Sequence, residues 1–354
     1  MTSEFDFEFD FDLLRELTET SGVPGYEDRV RDRVRAVFDD AADEVRTDAM
    51  GNVVGTVEGS GDYEVAVAAH MDEIGFMVKH VTDDGFLKLD ALGGWDARVL
   101  RAQRVRVHTG QGDLTGVIGS VPPHTLTEEE RGKDDAVEDV VVDLGMDGED
   151  VGQVVAVGDL VTMEQSTVRM GETVTGKALD DRVCLFAMLE AARTLEEPEA
   201  TVHFCATVQE EVGLRGAEAL GVDVDPDLAI ALDVTIASDT PGVEADRQVT
   251  RLGEGAAVKL KDGSVVTNPT VTRRLRDVAE AEGIAHQLEV LPSGGTDTAG
   301  FQTANGAKPV GAISIPTRYL HTVTETAHGD DIRAAIDLLG AFLAAEDGST
   351  DYTL

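Results

Sequence analysis

Eight side chains in five short segments are of the types that build a hydrolytic metal centre. They are His70 and Asp72 in VAVAAHMDEIGF, Asp180 and Asp181 in GKALDDRVC, Glu210 and Glu211 in TVQEEVGLRG, Asp233 in AIALDVT, and His321 in RYLHTVTE. Each alone is a weak signal, since a lone histidine or a carboxylate pair is more often ordinary structure; the combination is what carries chemistry. Asp72 lies two residues from His70, so an extended local chain puts both side chains on one side. The carboxylate could then hold the imidazole tautomer that leaves the other ring nitrogen free for a metal. Glu210 and Glu211, being adjacent, point in different directions, which lets one bind metal while its neighbour handles a proton. Asp233 and His321 add an oxygen and a nitrogen ligand. Seven of the eight make up the set: two histidines and three carboxylates as ligands, with two further carboxylates in supporting or proton-transfer positions. Five protein ligands exceed what one tetrahedral zinc needs. They match a two-metal site, whose ions lie about 3.5–4 Å apart and which hydrolyses amides, esters or phosphates. No cysteine joins the set, which argues against a structural zinc module.

The elements that must position these residues are legible around them. In segments 65–69, 201–208 and 227–232 a short, largely apolar run leads into the polar residue, the pattern of a strand buried on both faces. Open α/β sheets place their chemistry at the carboxyl ends of such strands. Apolar residues at helical spacing predict helices over 11–20 and 26–45, separated by SGVPGYED, with Glu27 and Asp28 suited to the second helix's N-terminus. Strands are predicted at 52–57 and 63–69. After residue 170 the helical period returns in RVCLFAMLEAARTL, read as a buried helix capped by Asp180 and Asp181. Beyond it, strand 201–208, helix 213–220, strand 227–234, helix 270–283, strand 286–291, helix 295–304, strand 309–315 and helix 330–346 alternate.

Residues 77–168 have a different texture: short β-rich runs (Phe86–Leu89, Val99–Val107, Leu114–Ile118, Val140–Leu144, Leu160–Met163) alternate with Gly and Asp, and no helix is expected. The segment reads as an all-β domain inserted into an α/β domain formed by 1–76 and 169–354. Within it, PPHTLTEEERGKDDAVED (122–139) lacks apolar periodicity and reads as an exposed loop in which His124 is a surface residue.

With 354 residues, the chain is long enough for a large core plus a smaller unit. It carries 69 acidic against 29 basic residues, a formal charge of −40, and only seven lysines against 22 arginines. Such a charge opposes nucleic acid and anionic membranes by repulsion, and it suits a protein working at high ionic strength, as in a halophile. Cys184 and Cys205 sit in apolar stretches and read as buried free thiols. The N-terminus MTSEFDFEFDFD has neither the basic nor the apolar region of a signal peptide, and no apolar run is long enough to span a bilayer, so a cytoplasmic protein is expected. The glycines of LPSGGTDTAG lack the Lys-Ser/Thr pair of a phosphate loop.

Taken together, SGVPGYED, AAHMDEIGFMV, PPH, GKALDDR, VQEEVGLRGA, ALDVT, SGGTDTAGFQ and PTRYLHTVTE occur in an order that resembles the tetrahedral (TET) aminopeptidases, a group of co-catalytic metallopeptidases that includes glutamyl-aminopeptidase-like enzymes. The resemblance covers almost the whole chain. It implies a mixed-sheet α/β/α catalytic domain with an inserted all-β dimerisation domain, and a metal-dependent aminopeptidase acting on short peptides. His70 and Asp233 would complete one metal site, Glu211 and His321 the other, and Asp180 would bridge two divalent ions, zinc or cobalt. Glu210 would be the general base toward a metal-bridging water, Asp72 would orient His70, and Asp181 would follow Asp180 in a turn that often contains a cis peptide. Gly294, Gly295, Thr296 and Asp297 would line the substrate cleft. The resemblance further implies dimers joined through the β domain, six of them forming a hollow dodecamer with its sites facing inward. A di-metal deacylase or carboxypeptidase of the same fold differs in not requiring a free N-terminus. A non-enzymatic, cage-like binding assembly would have a disrupted ligand set, and here the set is complete. An endoglucanase does not explain paired histidines.

Overall fold

The computed structural model describes residues 7–128 and 136–354. The first six residues of the acidic N-terminal stretch and residues 129–135 of the 122–139 loop lie outside the described part. The described ends of that loop are largely exposed, His124 among them. Two helices open the chain, α1 (Phe11–Glu19) and α2 (Asp28–Ala41). Asp10 caps α1 by accepting the Leu13 amide. In α2, Val30, Val34, Val37 and Phe38 are buried at the i, i+4, i+7, i+8 positions of one helix face.

The second helix does not run to residue 45. It stops at Ala41, and Glu44–Thr47 forms strand β1, which pairs antiparallel with β2 (Val53–Val57). The backbone partner supplied by β2 and the β-branched Val45 and Thr47 outweigh a helical continuation. Phe38 lies flat on this ribbon at Gly55, where a Cβ would sit 2.7 Å from the ring. After β3 (Glu64–His70), six strands close into a barrel: β4 (Gly75–Val81), β5 (Leu87–Leu92), β6 (Gln103–Thr109), β7 (Gly112–Ile118), β8 (Val141–Asp143) and β9 (Leu160–Met163), in the order β4-β5-β8-β7-β6-β9. Phe76, Val78, Leu87, Leu89, Val105 and Val107 alternate inward to fill it. The run from Val99 begins in a 3₁₀ turn and becomes strand only at Gln103. Contrary to expectation the segment contains a helix, α3 (Gly148–Val154); with Val151 its one fully buried apolar side chain, it has too little periodicity to be seen in GEDVGQV.

The chain then returns through β10 (Val168–Met170), β11 (Thr173–Gly176), α4 (Leu179–Thr194), β12 (Thr201–Thr207), α5 (Arg215–Val224), β13 (Leu228–Ile236), β14 (Ala256–Lys261), α6 (Pro269–Glu282), β15 (His286–Val290), α7 (Asp297–Thr303), β16 (Val310–Arg318), β17 (Glu325–His328) and α8 (Gly329–Ala344). β14 was not expected, because Lys259 interrupts its apolar run; its ammonium is fully buried on Glu289 and Asp262. The described strands outside the barrel form one 11-stranded mixed sheet, β1-β2-β12-β3-β13-β16-β17-β11-β10, with β14 beside β16 and β15 beside β14. β12, β3, β13 and β16 are mutually parallel at its centre. Helices α1, α2, α4, α6 and α8 cover one face, and α5 and α7 the other. On the second face β3 and β13 present Ala66, Ala68 and Ala229, which leaves room for Phe301 and Leu220. Gly300 lets α7 approach α5, since a Cβ there would stand 2.9 Å from that of Ala217. No helix among the described residues is long and apolar enough to cross a membrane, and Cys184 and Cys205 are buried and free.

Candidate metal centre

Sheet register assembles the first part of the site. His70 ends β3 and pairs with Thr207 at the end of β12, while Asp233 lies two residues past the Ala231–Ala68 pair on β13. The three strands therefore deliver His70, Asp233 and, just beyond Thr207, Glu210 and Glu211 to one edge of the sheet. Asp180 enters from the start of α4, and His321 from the loop between β16 and β17, where it has φ of 57°. Two donor groups result: His70, Asp180, Asp181 and Asp233, and then Asp180, Glu211 and His321, each with its donor atoms within 4.8 Å of one another. Asp180 belongs to both groups. His70 Nε2 lies 3.3 Å from its Oδ1 and His321 Nε2 lies 3.4 Å from its Oδ2. Glu210 Oε2 stands 3.9 Å from His70 Nε2, and Glu211 Oε2 stands 3.9 Å from His321 Nε2, so the adjacent glutamates do face different imidazoles.

Both rings are fixed in the same way. His70 Nδ1 donates to the Asp72 carbonyl at 3.1 Å and His321 Nδ1 to the Gly94 carbonyl at 2.7 Å. A carbonyl can only accept, so Nδ1 carries a proton and Nε2 is the nitrogen that faces the site, its lone pair open to a metal once any second proton is given up. Gly94 belongs to the barrel segment, and a Cβ there would be 3.3 Å from His321 Nδ1.

Two expectations about carboxylates need correction. It is the main-chain carbonyl of Asp72 that holds the His70 ring, with its carboxylate farther off at 3.6 Å. That carboxylate instead accepts the amides of Glu210 and Glu211, both at 3.1 Å. Asp180 and Asp181 do not cap α4 either. Their backbone is non-helical, the peptide between them is cis, and Asp181 Oδ2 accepts the His70 amide at 3.2 Å.

The loop carrying the glutamates is held at four consecutive amides. Val208 donates to Asn52 Oδ1, Gln209 to Glu27 Oε1, and Glu210 and Glu211 to Asp72. A loop cannot satisfy its own buried N–H groups, so side chains from three distant segments do it. Glu27 is buried and turned to this loop and to the Gly25 amide, so that, although it stands at the N-cap position of α2, its side chain makes no capping hydrogen bond there. Burial, reinforced by Asp72, pushes its carboxyl up to about 7. Below the site Lys177 Nζ bonds both oxygens of Glu73 at 2.7 Å, and Arg182 donates to the carbonyls of Leu17, Thr20 and Gly22. Glu325 accepts the amides of Asp180 and His321. Asp181, Glu27, Glu73, Lys177 and Glu325 were given no such roles from sequence; only the conspicuous Asp-Asp pair offered a local signal for any of them.

Of the residues expected to line the cleft, Gly294 and Gly295 are exposed, and Gly294 has φ of 102°. Thr296 and Asp297 are buried at the start of α7, and Asp297 accepts the hydroxyl of Thr207, the residue paired with His70. Burial raises the Asp297 carboxyl to about 6.

Three observations test whether this donor set fits divalent ions. Ligand atoms about 2.0–2.1 Å from a tetrahedral centre lie about 3.3–3.4 Å apart, and the two Nε2–Asp180 separations are 3.3 and 3.4 Å. Asp181 Oδ1 and Glu211 Oε1 are buried without a hydrogen-bond partner. Finally, burial pushes the carboxyls of Asp181, Asp233 and Glu210 well up and that of Glu211 to about 8, with neighbouring carboxylates adding to each. Burial would lower the His70 imidazole, but Asp180 and Asp72 outweigh it and raise it; Asp180 similarly lifts His321 to about 10. Burial would raise Asp180, yet the two imidazoles hold it low. Crowded carboxylates in a site this dry ionise together only beside concentrated positive charge. The residues fit divalent metal, with Asp180 common to both donor groups.

The chain is similar to known proteins over almost its whole length. The model of the M42 glutamyl aminopeptidase family matches residues 51–338. The chain is similar to the lysyl aminopeptidase of Pyrococcus furiosus, 37% identical over 341 residues covering 94% of this chain and 96% of that one. Among solved structures it is similar to an aminopeptidase of the archaeon Desulfurococcus kamchatkensis, with a TM-score of 0.91 and 38% identity over 95% of this chain and 94% of that one. It is likewise similar to the TET1 peptidase of Pyrococcus horikoshii, which can assemble into a tetrahedron or a large octahedral shell, with a TM-score of 0.86 and 33% identity over 95% and 99% of the two chains. A match that spans the barrel, every donor segment and every strand of the sheet except β1 leaves a single conclusion: the chain belongs to the M42 glutamyl aminopeptidase family and is a metal-dependent peptidase.

Proposed function

We propose that this protein removes N-terminal residues from short peptides using two divalent ions, zinc or cobalt. His70, Asp180 and Asp233 hold one ion, Asp180, Glu211 and His321 the other, and Glu210 is the general base. The observation that carries this reading is the pair of Nε2 atoms facing opposite oxygens of Asp180, with Glu210 beside them and outside both donor groups. When bound, the ions supply Lewis acidity to the scissile carbonyl and the attacking water; either metal suits imidazole and carboxylate ligands. Glu210 accepts a proton from that water and delivers it to the leaving amine. Asp72, bonded to the Glu210 amide, keeps the base in place through that proton's two transfers. The exposed Gly294 and Gly295, beside buried Thr296 and Asp297, form a wall of the cleft through which the peptide enters.

Likeness to the Pyrococcus horikoshii peptidase supports an assembly of dimers joined through the barrel, closing as a hollow tetrahedral dodecamer that admits only unfolded peptides. The charge of −40 supports a halophilic, cytoplasmic setting in which salt screens self-repulsion, with neither nucleic acid nor membrane as partner. Glu210→Gln tests the chemistry. In molar salt it should keep its metal and fold and lose about 10²–10⁴-fold in kcat on aminoacyl chromogenic amides, with N-acetylated amides inert to both proteins. Retention of most activity at unchanged metal content defeats the assignment.

A further inference from the structure

Glu325 opens β17 and is 2% exposed. Its Oε2 accepts the Asp180 amide at 2.9 Å and its Oε1 accepts the His321 amide at 2.9 Å. Both oxygens are thereby spent on backbone, and Glu325 belongs to neither donor group. The two residues it joins come from distant segments, and they are the residue shared by both groups and the imidazole of the second. Neither amide has an obvious partner of its own. Asp180 lies at the start of α4, where N–H groups have no carbonyl four residues back, and its backbone is non-helical. His321 and Tyr319 both adopt left-handed conformations, with φ of 57° and 62°, which non-glycine residues hold only when their surroundings impose it. The arrangement repeats, on the other side of the site, what Asp72 does for Glu210 and Glu211.

We infer that Glu325 is a positioning residue that sets the distance between Asp180 and His321 and so the affinity of the His321 side for its metal; this rests on the two-metal reading above. The hairpin of β16 and β17 gives the carboxylate a rigid base, because Arg318 and Thr326 pair across it. Any shift of β17 would carry both ligands together.

Cobalt(II) titrated into metal-free protein in molar salt, followed by its visible absorption, tests this. Wild type should bind two equivalents. Glu325→Gln keeps the volume but offers one acceptor and places an NH₂ group against the other amide. It should bind cobalt about 10–100-fold more weakly, the second equivalent most affected, with a changed absorption band. At saturating cobalt its kcat should fall while KM for an aminoacyl amide stays near wild type. Glu346→Gln is the control: Glu346 is also 2% exposed and bonded to Tyr352 and Gly348, near Tyr63, which precedes the strand whose far end carries His70. It should lower the melting temperature and leave both cobalt equivalents intact. If Glu325→Gln does not fold, Glu325→Asp, which keeps the charge but is too short to span both amides, replaces it with the same expectation. A folded Glu325 variant that binds both equivalents with wild-type affinity and spectrum overturns the inference. Wild type that binds fewer than two overturns the two-metal reading and this inference with it.

Discussion

Replacing Asp72 with Asn should separate holding the catalytic loop from holding the fold. Asp72 is fully buried, and each of its oxygens accepts one amide, from Glu210 and Glu211, at 3.1 Å. Asn keeps the shape but offers one oxygen and one NH₂ group, so one backbone N–H retains its acceptor and the other confronts a donor. Taking the charged acceptor from one of these bonds leaves a buried donor unpaired, so the local penalty is about 1–3 kcal/mol. The preceding amides, Val208 and Gln209, remain held by Asn52 and Glu27. The strain is therefore relieved by displacement of Glu210 or Glu211 more than by unfolding. A displacement near 1 Å costs about 10²-fold in rate, or about 2.7 kcal/mol of barrier height, the same size as the penalty that drives it. Asp72→Asn should thus lower kcat about 100-fold, leave KM for an aminoacyl amide near wild type, and lower stability by less than the full local penalty. Steady-state kinetics, metal analysis and urea unfolding on one preparation decide it. A variant with full metal content and kcat within about threefold of wild type, under about 1 kcal/mol, refutes the argument that these amides place the base.

Lys177→Met should destabilise the protein by about 3–5 kcal/mol, because it strands the buried Glu73 carboxylate with only the Arg182 guanidinium, 3.9 Å away, and the Gly22 amide. Adding Glu73→Gln should recover most of the loss in urea unfolding, and a single variant as stable as wild type would refute the role of the pair. Burial would raise the Asp239 carboxyl, but the two-pronged hydrogen bonds from Arg318 outweigh it and hold it below its ordinary range. Its contribution is therefore present above the unfolded carboxyl's pKa of about 4 and lost as pH falls through the depressed folded value. Asp239→Asn should cost about 1 kcal/mol at neutral pH, and that deficit should shrink on acidification; a deficit independent of pH is the contrary result. Removing divalent metal with a chelator should abolish turnover and lower the melting temperature. Restoring zinc or cobalt to about 100 times its Kd should return about 2.7 kcal/mol, whereas turnover that survives complete removal contradicts a metal-dependent site.

Much of the site was legible because its strands are buried on both faces. VAVAA before His70, AIAL before Asp233 and VHFCATV before Glu210 are runs that only a central strand tolerates, and the chemistry of such sheets falls where the run stops. Helical periodicity likewise revealed α1, most of α2 and α8. The misses share one cause. β1 became a strand because β2 lies beside it; β14 hides behind Lys259, whose charge makes sense only once Glu289 and Asp262 arrive; and Asp72, Glu27 and Glu325 each give at least one carboxylate oxygen to an amide far along the chain.

The amino-acid sequence by itself therefore determined which residue types stand at the strand ends, the acidic surface and the free buried thiols, since these depend on local pattern and composition. Tertiary structure alone decided that the Asp72 carbonyl and not its carboxylate orients His70, that the Asp72 carboxylate holds the glutamate loop, and that a barrel glycine orients His321. The physical reason is that a buried polar group must be paired, and its partner is chosen by the packing of distant elements, not by its neighbours in the chain.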